Sequence, residues 1–207
     1  ITVTNFDCSK TGDAAVDLMT ATRTDVKADE MISSSSSVEL HFQHALARVT
    51  CKVAVVNSEV TVNSLSLYGV GYQGDYPSAS TPSWSIKKTC TADDTPFATA
   101  SGASFTLTPT DTYRENVLGD LLLLPQALQE GAACFVLAYR HNGLADGDPD
   151  RTVTVPLPAI TWEAGSSYNY TLTIQADVTL NVSVKDWDEV NTSVSWGDGD
   201  STTGSGS

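Results

Sequence analysis

The chain has little positive charge and no long apolar segment. Its 207 residues include 11 Lys and Arg against 25 Asp and Glu, which gives a formal net charge of -14. Such an acidic surface repels nucleic-acid phosphates and anionic lipid headgroups, so we expect neither as a partner. The longest apolar run, 132–139, is far shorter than the roughly 20 residues that cross a bilayer as a helix. We therefore predict no transmembrane segment.

The sequence also lacks the motifs that usually carry catalysis or cofactor binding. It has no G-x-S-x-G elbow and no glycine-rich phosphate loop. His41 and His44 are three residues apart in an expected strand, which places them on opposite faces and argues against a shared metal ion. The acidic run 146–150 lacks the glycine and the distal glutamate of an EF-hand loop. We predict a protein that is not an enzyme and has no cofactor or metal.

The four cysteines show no zinc or thioredoxin-type spacing, because none of Cys8, Cys51, Cys90 and Cys134 belongs to a C-x-x-C motif. Cys51 and Cys134 lie in apolar, strand-like segments, which favours burial as small hydrophobic residues. Disulfides joining Cys51 to Cys134 or Cys8 to Cys90 stay open as the alternative.

Apolar and polar residues alternate along almost the whole chain, as half-buried β-strands require. The apolar phase shifts near Ala47 and Arg48, which predicts a bulge or strand break there. Residues 57–59 predict a hairpin turn, and the spacing over 14–21 after Asp13 predicts a short helix. We predict an all-β, immunoglobulin-like antiparallel β-sandwich with at most one or two short helices.

Composition divides the chain into three parts. The serine run 33–37 has no apolar periodicity, so residues 1–37 are predicted to be an N-terminal strand with a serine-rich connection, or the remnant of a first domain. Residues 38–196 are predicted to form the sandwich domain. Residues 197–207 are only Gly, Asp, Ser and Thr, which predicts a flexible acidic tail.

Three aromatic residues, Tyr72, Tyr76 and Trp84, flank a stretch rich in small polar residues. Rigid aromatic faces bury area at low entropic cost, so this composition suits a ligand or partner surface. The alternative is that Tyr76 and Trp84 cover one end of the sandwich.

Four stretches in order resemble the fimbrillin and fimbrillin-like proteins of Bacteroidales bacteria, which are subunits of type V pili. They are VELHFQHALARV at 38–49 with DLMTA at 17–21 before it, LLLLPQ at 121–126, WEAGSSYNYTL at 162–172 and VSVKDW at 182–187.

The resemblance implies a transthyretin-like β-sandwich, exported to the cell surface and associated with the outer membrane. It also implies self-assembly, in which an extended strand of one subunit inserts into a groove of the next. On this chain the donor candidate is the face that carries Val190, Thr192, Val194 and Trp196. An ordinary last strand of the same sandwich is the alternative. A monomeric cell-surface module that binds a glycan or protein is the second functional hypothesis.

The family commonly has two sandwich domains, whereas only 37 residues precede Val38. The resemblance also implies that a protease removes an N-terminal strand after a basic residue, and Arg23 is the arginine near the start. Residues 1–6 could be a core strand, a donor strand or a strand that is removed.

Overall fold

The computed structural model describes residues 3–21, 37–76, 83–91, 96–100, 104–110, 113–142, 150–175, 178–187 and 190–195. These residues form eighteen strands and one short 3-10 helix at Gly12–Ala14. In chain order the strands are β1 Val3–Asp7, β2 Met19–Thr20, β3 Ser37–His44, β4 Ala47–Val55, β5 Val60–Tyr68, β6 Gly71–Tyr76, β7 Ser85–Thr89, β8 Ala98–Ala100, β9 Phe105–Leu107, β10 Tyr113–Arg114, β11 Leu121–Leu123, β12 Gln126–Leu128, β13 Cys134–His141, β14 Arg151–Pro156, β15 Ile160–Trp162, β16 Ser166–Ile174, β17 Val178–Asp186 and β18 Val190–Ser195. The predicted all-β class is confirmed.

Two five-stranded sheets make the main sandwich. One has the order β10-β4-β16-β17 with β11 also on β4, and the other has the order β14-β13-β5-β8 with β9 also on β5. β4 and β16 run parallel, whereas the other strand pairs of the described residues are antiparallel. The predicted antiparallel sandwich therefore holds with one parallel pair at its centre. The transthyretin-like strand order stays a prediction.

Alternating side chains of these strands fill the space between the sheets. In β4, Val49, Cys51 and Val53 have no exposed surface, and they belong to the same apolar cluster as Leu65 of β5. The Phe135 ring meets a Tyr170 ring of the opposite sheet edge-on, with centroids 5.5 Å apart. Full burial of one such side chain stabilises the fold by about 1.5–3 kcal/mol.

A tyrosine hydroxyl inside this core has a partner. The Trp162 Nε1–H donates to the Tyr170 hydroxyl at 3.0 Å, and both side chains are fully buried. Burial raises the pKa of Tyr170 to about 12. The hydroxyl therefore stays neutral over the physiological pH range, and the core carries no phenolate charge.

Two smaller sheets extend from one end of the sandwich, and we call them together the end region. One contains β1, β6 and β7, and the other contains β18, β3 and β2. Between them a second apolar cluster is built on buried Cys8, Leu46 and Leu124. β3 leads into β4 and β5 leads into β6, so each run of chain passes from one region to the other.

Both runs are interrupted where the regions meet. β3 ends at His44 and β4 begins at Ala47, which confirms the predicted strand break. Between β5 and β6 the break falls at Gly69, whose φ is +80°. A Cβ atom there would lie 2.0 Å from the Ala132 carbonyl oxygen, so the close approach of these backbones requires glycine.

Two local predictions are wrong. Residues 57–59 do not form a hairpin, because β4 and β5 lie in different sheets and Asn57, with φ +62°, turns the chain between the layers. The predicted helix over 14–21 is absent apart from the 3-10 turn at Gly12–Ala14. Tertiary contacts override the helical spacing there, since the Leu18 carbonyl accepts a hydrogen bond from Ala45 and Met19 joins β2.

The cysteines are free, and the alternative disulfides do not form. Cys51 is fully buried and faces the core from β4. Cys134 is only partly buried, because it alternates with inward-facing Phe135 on β13 and so lies on the outer face. The predicted burial of Cys51 is confirmed and that of Cys134 is not, because the Cys134 side chain points away from the core that Cys51 faces.

Cys8 and Cys90 flank β6 on opposite sides. The Cys8 N–H donates to the Tyr72 carbonyl, whereas the Cys90 N–H donates to the Val70 carbonyl just before β6. A β-strand therefore lies between the two thiols, and both are buried. Burial raises the pKa of the Cys8 thiol to about 12.

Candidate functional site

The candidate donor strand is the outer strand of one end sheet. β18 pairs antiparallel with β3 over six residues, from Val190 opposite Phe42 to Ser195 opposite Ser37. It pairs with no other strand in the described part of the chain. Thr192 and Val194 lie within this ladder, whereas the predicted contact residue Trp196 lies outside the described residues. Within the described backbone, β18 is therefore joined to the chain's own fold through one ladder.

Trp187 lies where the chain leaves β17 for β18. Its backbone N–H donates to the Gly165 carbonyl at 2.7 Å, and its indole stacks on the His44 ring with centroids 3.5 Å apart and planes 2° apart. Gly165 comes immediately before β16. Before Trp187, β16 lies between β17 and β4. After Trp187, the chain leaves that sheet and β18 pairs directly with β3.

His44 contacts both an N-terminal and a C-terminal segment of the chain at this point. The ring is buried, and its Nδ1 lies 2.7 Å from Asp17 Oδ2, so one side chain contacts the N-terminal segment and Trp187 together. The second oxygen, Asp17 Oδ1, is buried and has no hydrogen-bond partner among the described residues. His41 is exposed, which confirms that the two histidines lie on opposite faces. In the part of the chain that the structure describes, no three His, Cys, Asp or Glu residues could hold a metal ion.

Trp84 connects the two end sheets. Its Nε1–H donates to the Ala45 carbonyl at 2.9 Å, in the break between β3 and β4. Its indole lies 5.7 Å from the Phe6 ring and 5.2 Å from the Tyr76 ring, measured between centroids. Trp84 is thus held by contacts on several sides rather than standing free in a loop.

The structure does not bring the three predicted aromatic residues together. Tyr76 and Trp84 line one cleft, whereas Tyr72 lines another and lies 6.4 Å from the Phe97 ring. Regular alternation would place Tyr72 and Tyr76 on one face of β6, but a register irregularity near Gln73 lies between them and changes the face. Any ligand surface built on this cluster is therefore limited to Tyr76 and Trp84.

The cleft beside Trp84 has a volume of about 820 Å³. It is lined by the two-stranded sheet of β12 and β15, which we call the ribbon, by the end of β6 with β7, and by the last residues of β3. The side chain of Gln126 fixes the ribbon against β6, because it accepts from the Gly71 N–H at 2.8 Å and donates to the Gly71 carbonyl at 3.0 Å. The cleft thus lies between elements that are tied to one another.

Sequence reasoning missed the roles of Asp17, His44, Trp187 and Gln126. Each of them lies inside a stretch that carried the family resemblance, which was the signal available for all four. Alternation alone could not show that the first three meet, because they come from three distant segments of the chain.

The sequence profile of the family described as Fimbrillin-like matches residues 1–187. The chain belongs to the fimbrillin-like family. None of the curated proteins matches this fimbrillin-like chain in sequence.

Three solved structures similar to the fimbrillin-like chain come from Bacteroides species. A candidate cell adhesion protein from Bacteroides ovatus is 20% identical with a TM-score of 0.50, over 91% of this chain and 60% of that chain. One from Bacteroides uniformis is 19% identical with a TM-score of 0.50, over 91% and 66%. A fimbrial protein from Bacteroides vulgatus is 16% identical with a TM-score of 0.50, over 72% and 56%. Similarity at this level shows a shared fold.

The fimbrillin-like chain thus corresponds to between 56% and 66% of the length of these three structures. Its family associates the chain with fimbriae. Among the described residues, no helix has the length and apolarity needed to span a membrane.

Proposed function

We propose that this chain is a structural or adhesive pilus subunit that assembles by strand donation, with β18 of one copy pairing with β3 of its neighbour. The pairing of β18 with β3 over six residues carries the proposal. A strand held by one backbone ladder can be replaced by an identical strand from another copy, because the same hydrogen bonds form again. Its partners are copies of itself or other pilus subunits, outside the cell and at the outer membrane.

The edge that would accept the strand is formed by β3. On its other side β3 pairs with β2 only at Gln43 and His44 within the described residues. The pairing with β18 therefore satisfies the N–H and C=O groups on one edge of β3 from Ser37 to Phe42. An edge of this length that loses its partner strand exposes a row of unpaired N–H and C=O groups, which favours capture of a second chain.

His44 and Trp187 determine where exchange would begin. Their stacking holds the chain at the start of the route to β18, and the bond from His44 to Asp17 ties the same point to the N-terminal segment. We propose that β17 and the sandwich stay with their own subunit while the chain beyond Trp187 crosses to the neighbour. Residues 38–196 would then act as one assembling domain, with 197–207 as its tail.

Electron microscopy of three purified chains tests this proposal: the full chain, a chain that ends at residue 196, and a chain that ends at residue 189. We expect filaments from the first two and separate particles from the third, because only the third lacks β18. Filaments from the chain that ends at residue 189 would refute strand donation by β18.

Heat resistance on a denaturing gel gives an independent measurement. A polymer that shares strands dissociates only when the pairing of β18 with β3 opens at a junction, which is slow without heat, so unheated samples should run as a ladder and boiled samples as one band. A single band from unheated filaments would indicate ordinary surface contacts instead.

A second candidate function is a cell-surface module that binds a glycan or a protein, without a catalytic role. The cleft beside Tyr76 and Trp84 favours it, since ligand sites of this kind are concave and contain a few polar groups among apolar ones. A pure binding module should run as one band on the unheated gel and should form no filaments.

A further inference from the structure

We infer that the cleft beside Trp84 is a binding site for a neutral oligosaccharide. The inference rests on the second candidate function and names the chemistry of its ligand. It is compatible with assembly through β18, because the ladder of β18 lies on Ser37 to Phe42 of β3, whereas the described β3 residues that line the cleft are Gln43 and His44.

The cleft offers the two kinds of surface that a sugar ring uses. Tyr76 and Trp84 provide aromatic faces, and the exposed side chains of Gln129, Thr161 and Glu163 provide amide, hydroxyl and carboxylate groups. The C–H face of a pyranose packs on an aromatic ring while its hydroxyls donate and accept hydrogen bonds with such groups. A volume of about 820 Å³ has room for more than one sugar ring.

Charge restricts the ligand to a neutral one. No Lys or Arg is among the described residues that line the cleft, whereas Glu163 is, and the whole chain carries a net charge of -14. An anionic glycan would meet repulsion with no cation to offset it, and sulfate or carboxylate recognition normally uses Arg or Lys. Sialylated and sulfated sugars are therefore disfavoured.

The aromatic wall is positioned before any ligand arrives. The Trp84 Nε1–H is bonded to the Ala45 carbonyl, and its ring contacts those of Phe6 and Tyr76 at tilted angles rather than face to face. Gln126 holds the neighbouring ribbon through Gly71. A site that is already ordered loses little conformational entropy on binding, which favours affinity for a small ligand.

An oligosaccharide array tests the inference with the full chain. The array carries neutral N-acetyllactosamine, mannose and xylose oligomers beside sialylated and sulfated N-acetyllactosamine, and titration calorimetry follows for each neutral oligomer retained. We expect binding to at least one neutral oligomer and none to the anionic ones. Retention of only anionic oligomers, or of none, would overturn the inference.

Thr161→Trp locates the site, since Thr161 is exposed and lines the cleft, so a large side chain there fills it. Thr154→Trp is the matched control, because Thr154 is an exposed strand residue of β14 outside the cleft. We expect at least a tenfold loss of affinity for Thr161→Trp and no change for Thr154→Trp. Equal affinity of the two variants would place the sugar elsewhere and overturn the assignment.

Filament formation by the same variants separates this inference from the assembly proposal. Thr161→Trp should form filaments as the unmodified chain does. If Thr161→Trp forms no filaments and the unmodified chain binds no sugar, the cleft receives a protein segment during assembly. That result overturns the oligosaccharide site but not assembly.

Discussion

The main sandwich and the end region are held together in different ways. In the sandwich, β4 and β16 pair over eight residues and their inward side chains are fully buried against the opposite sheet. In the end region the sheets have three strands each and enclose a cluster of three buried residues, with single contacts such as Trp84 to Ala45 between them. The sandwich is therefore stabilised by buried area and the end region by a few specific contacts.

This difference assigns separate tasks to the two regions. A strand that has to be exchanged must be able to leave without unfolding the subunit, and sub-global opening occurs where buried contacts are fewest. β18 lies in the region that meets this condition.

Phe135→Ala should be the most damaging change. The side chain is fully buried and meets the Tyr170 ring across the sandwich, so truncation leaves a cavity. We expect a loss of about 3–5 kcal/mol in the free energy of unfolding, measured by denaturant titration. Val184→Ala is the control, because Val184 is 53% exposed and its truncation should change stability by less than about 0.5 kcal/mol. A loss below 1 kcal/mol for Phe135→Ala would contradict the description of the core.

Trp187→Ala should act on the end region alone. Removal of the stack on His44 should weaken the hold on β18 by about 1 kcal/mol, because an aromatic pair contributes about that much. Hydrogen exchange should become faster in 190–195 and stay unchanged in β4 and β16. Trp187→Phe keeps an aromatic ring on His44, so its exchange rate in 190–195 should lie between those of the unmodified chain and Trp187→Ala. Equal acceleration in both regions would show that Trp187 supports the whole fold.

Thiol labelling compares the regions through two buried cysteines. Cys8 belongs to the end cluster and Cys51 to the sandwich core. In variants that keep only one of these thiols, we expect Cys8 to react first as denaturant is raised, because the end region should open before the sandwich. Partly exposed Cys134, kept alone in a third variant, should react without denaturant. Simultaneous reaction of Cys8 and Cys51 would mean that the two regions unfold as one unit.

Acid should loosen the sheet formed by β1, β6 and β7. The Lys87 ammonium, 2.6 Å from Asp75, and the Asn5 N–H, which donates to the same carboxylate, lower its pKa below the usual 3.8. A lowered pKa means that this carboxylate stabilises the sheet above about pH 4 and that the effect is lost as pH falls through the folded-state pKa. Amide NMR signals of Asn5 should shift over that range, and Asp75→Asn should remove the shift. A shift that persists in Asp75→Asn would assign the titration to another group.

Much of the fold could be predicted from alternation. The period-two pattern predicted strands along almost the whole chain, as β13, β16 and β17 show, and the phase shift near Ala47 located the break between β3 and β4. The turn at 57–59 was misassigned because a turn residue such as Asn57 reverses the chain whether the next strand joins the same sheet or the opposite one. Sequence shows that the chain turns but not which layer it enters.

The candidate site was less predictable. Val190, Thr192 and Val194 were chosen from alternation and the resemblance, and their strand does lie at a sheet edge. Its exchange between subunits stays a prediction. The meeting of Asp17, His44 and Trp187 could not be predicted, because it depends on contacts between segments that are up to 170 residues apart in sequence, counted from 17 to 187. Local patterns carry no information about such pairings.

The parallel pairing of β4 with β16 has a consequence for the order of folding. β4 is complete at Val55, but its parallel partner extends from Ser166 to Ile174. A chain synthesised from its N-terminus must therefore wait for more than a hundred further residues before this sheet can close, and contacts of such long range form slowly. Until then the apolar strand is open to other chains. Folding after synthesis, rather than during it, is the course that this topology dictates.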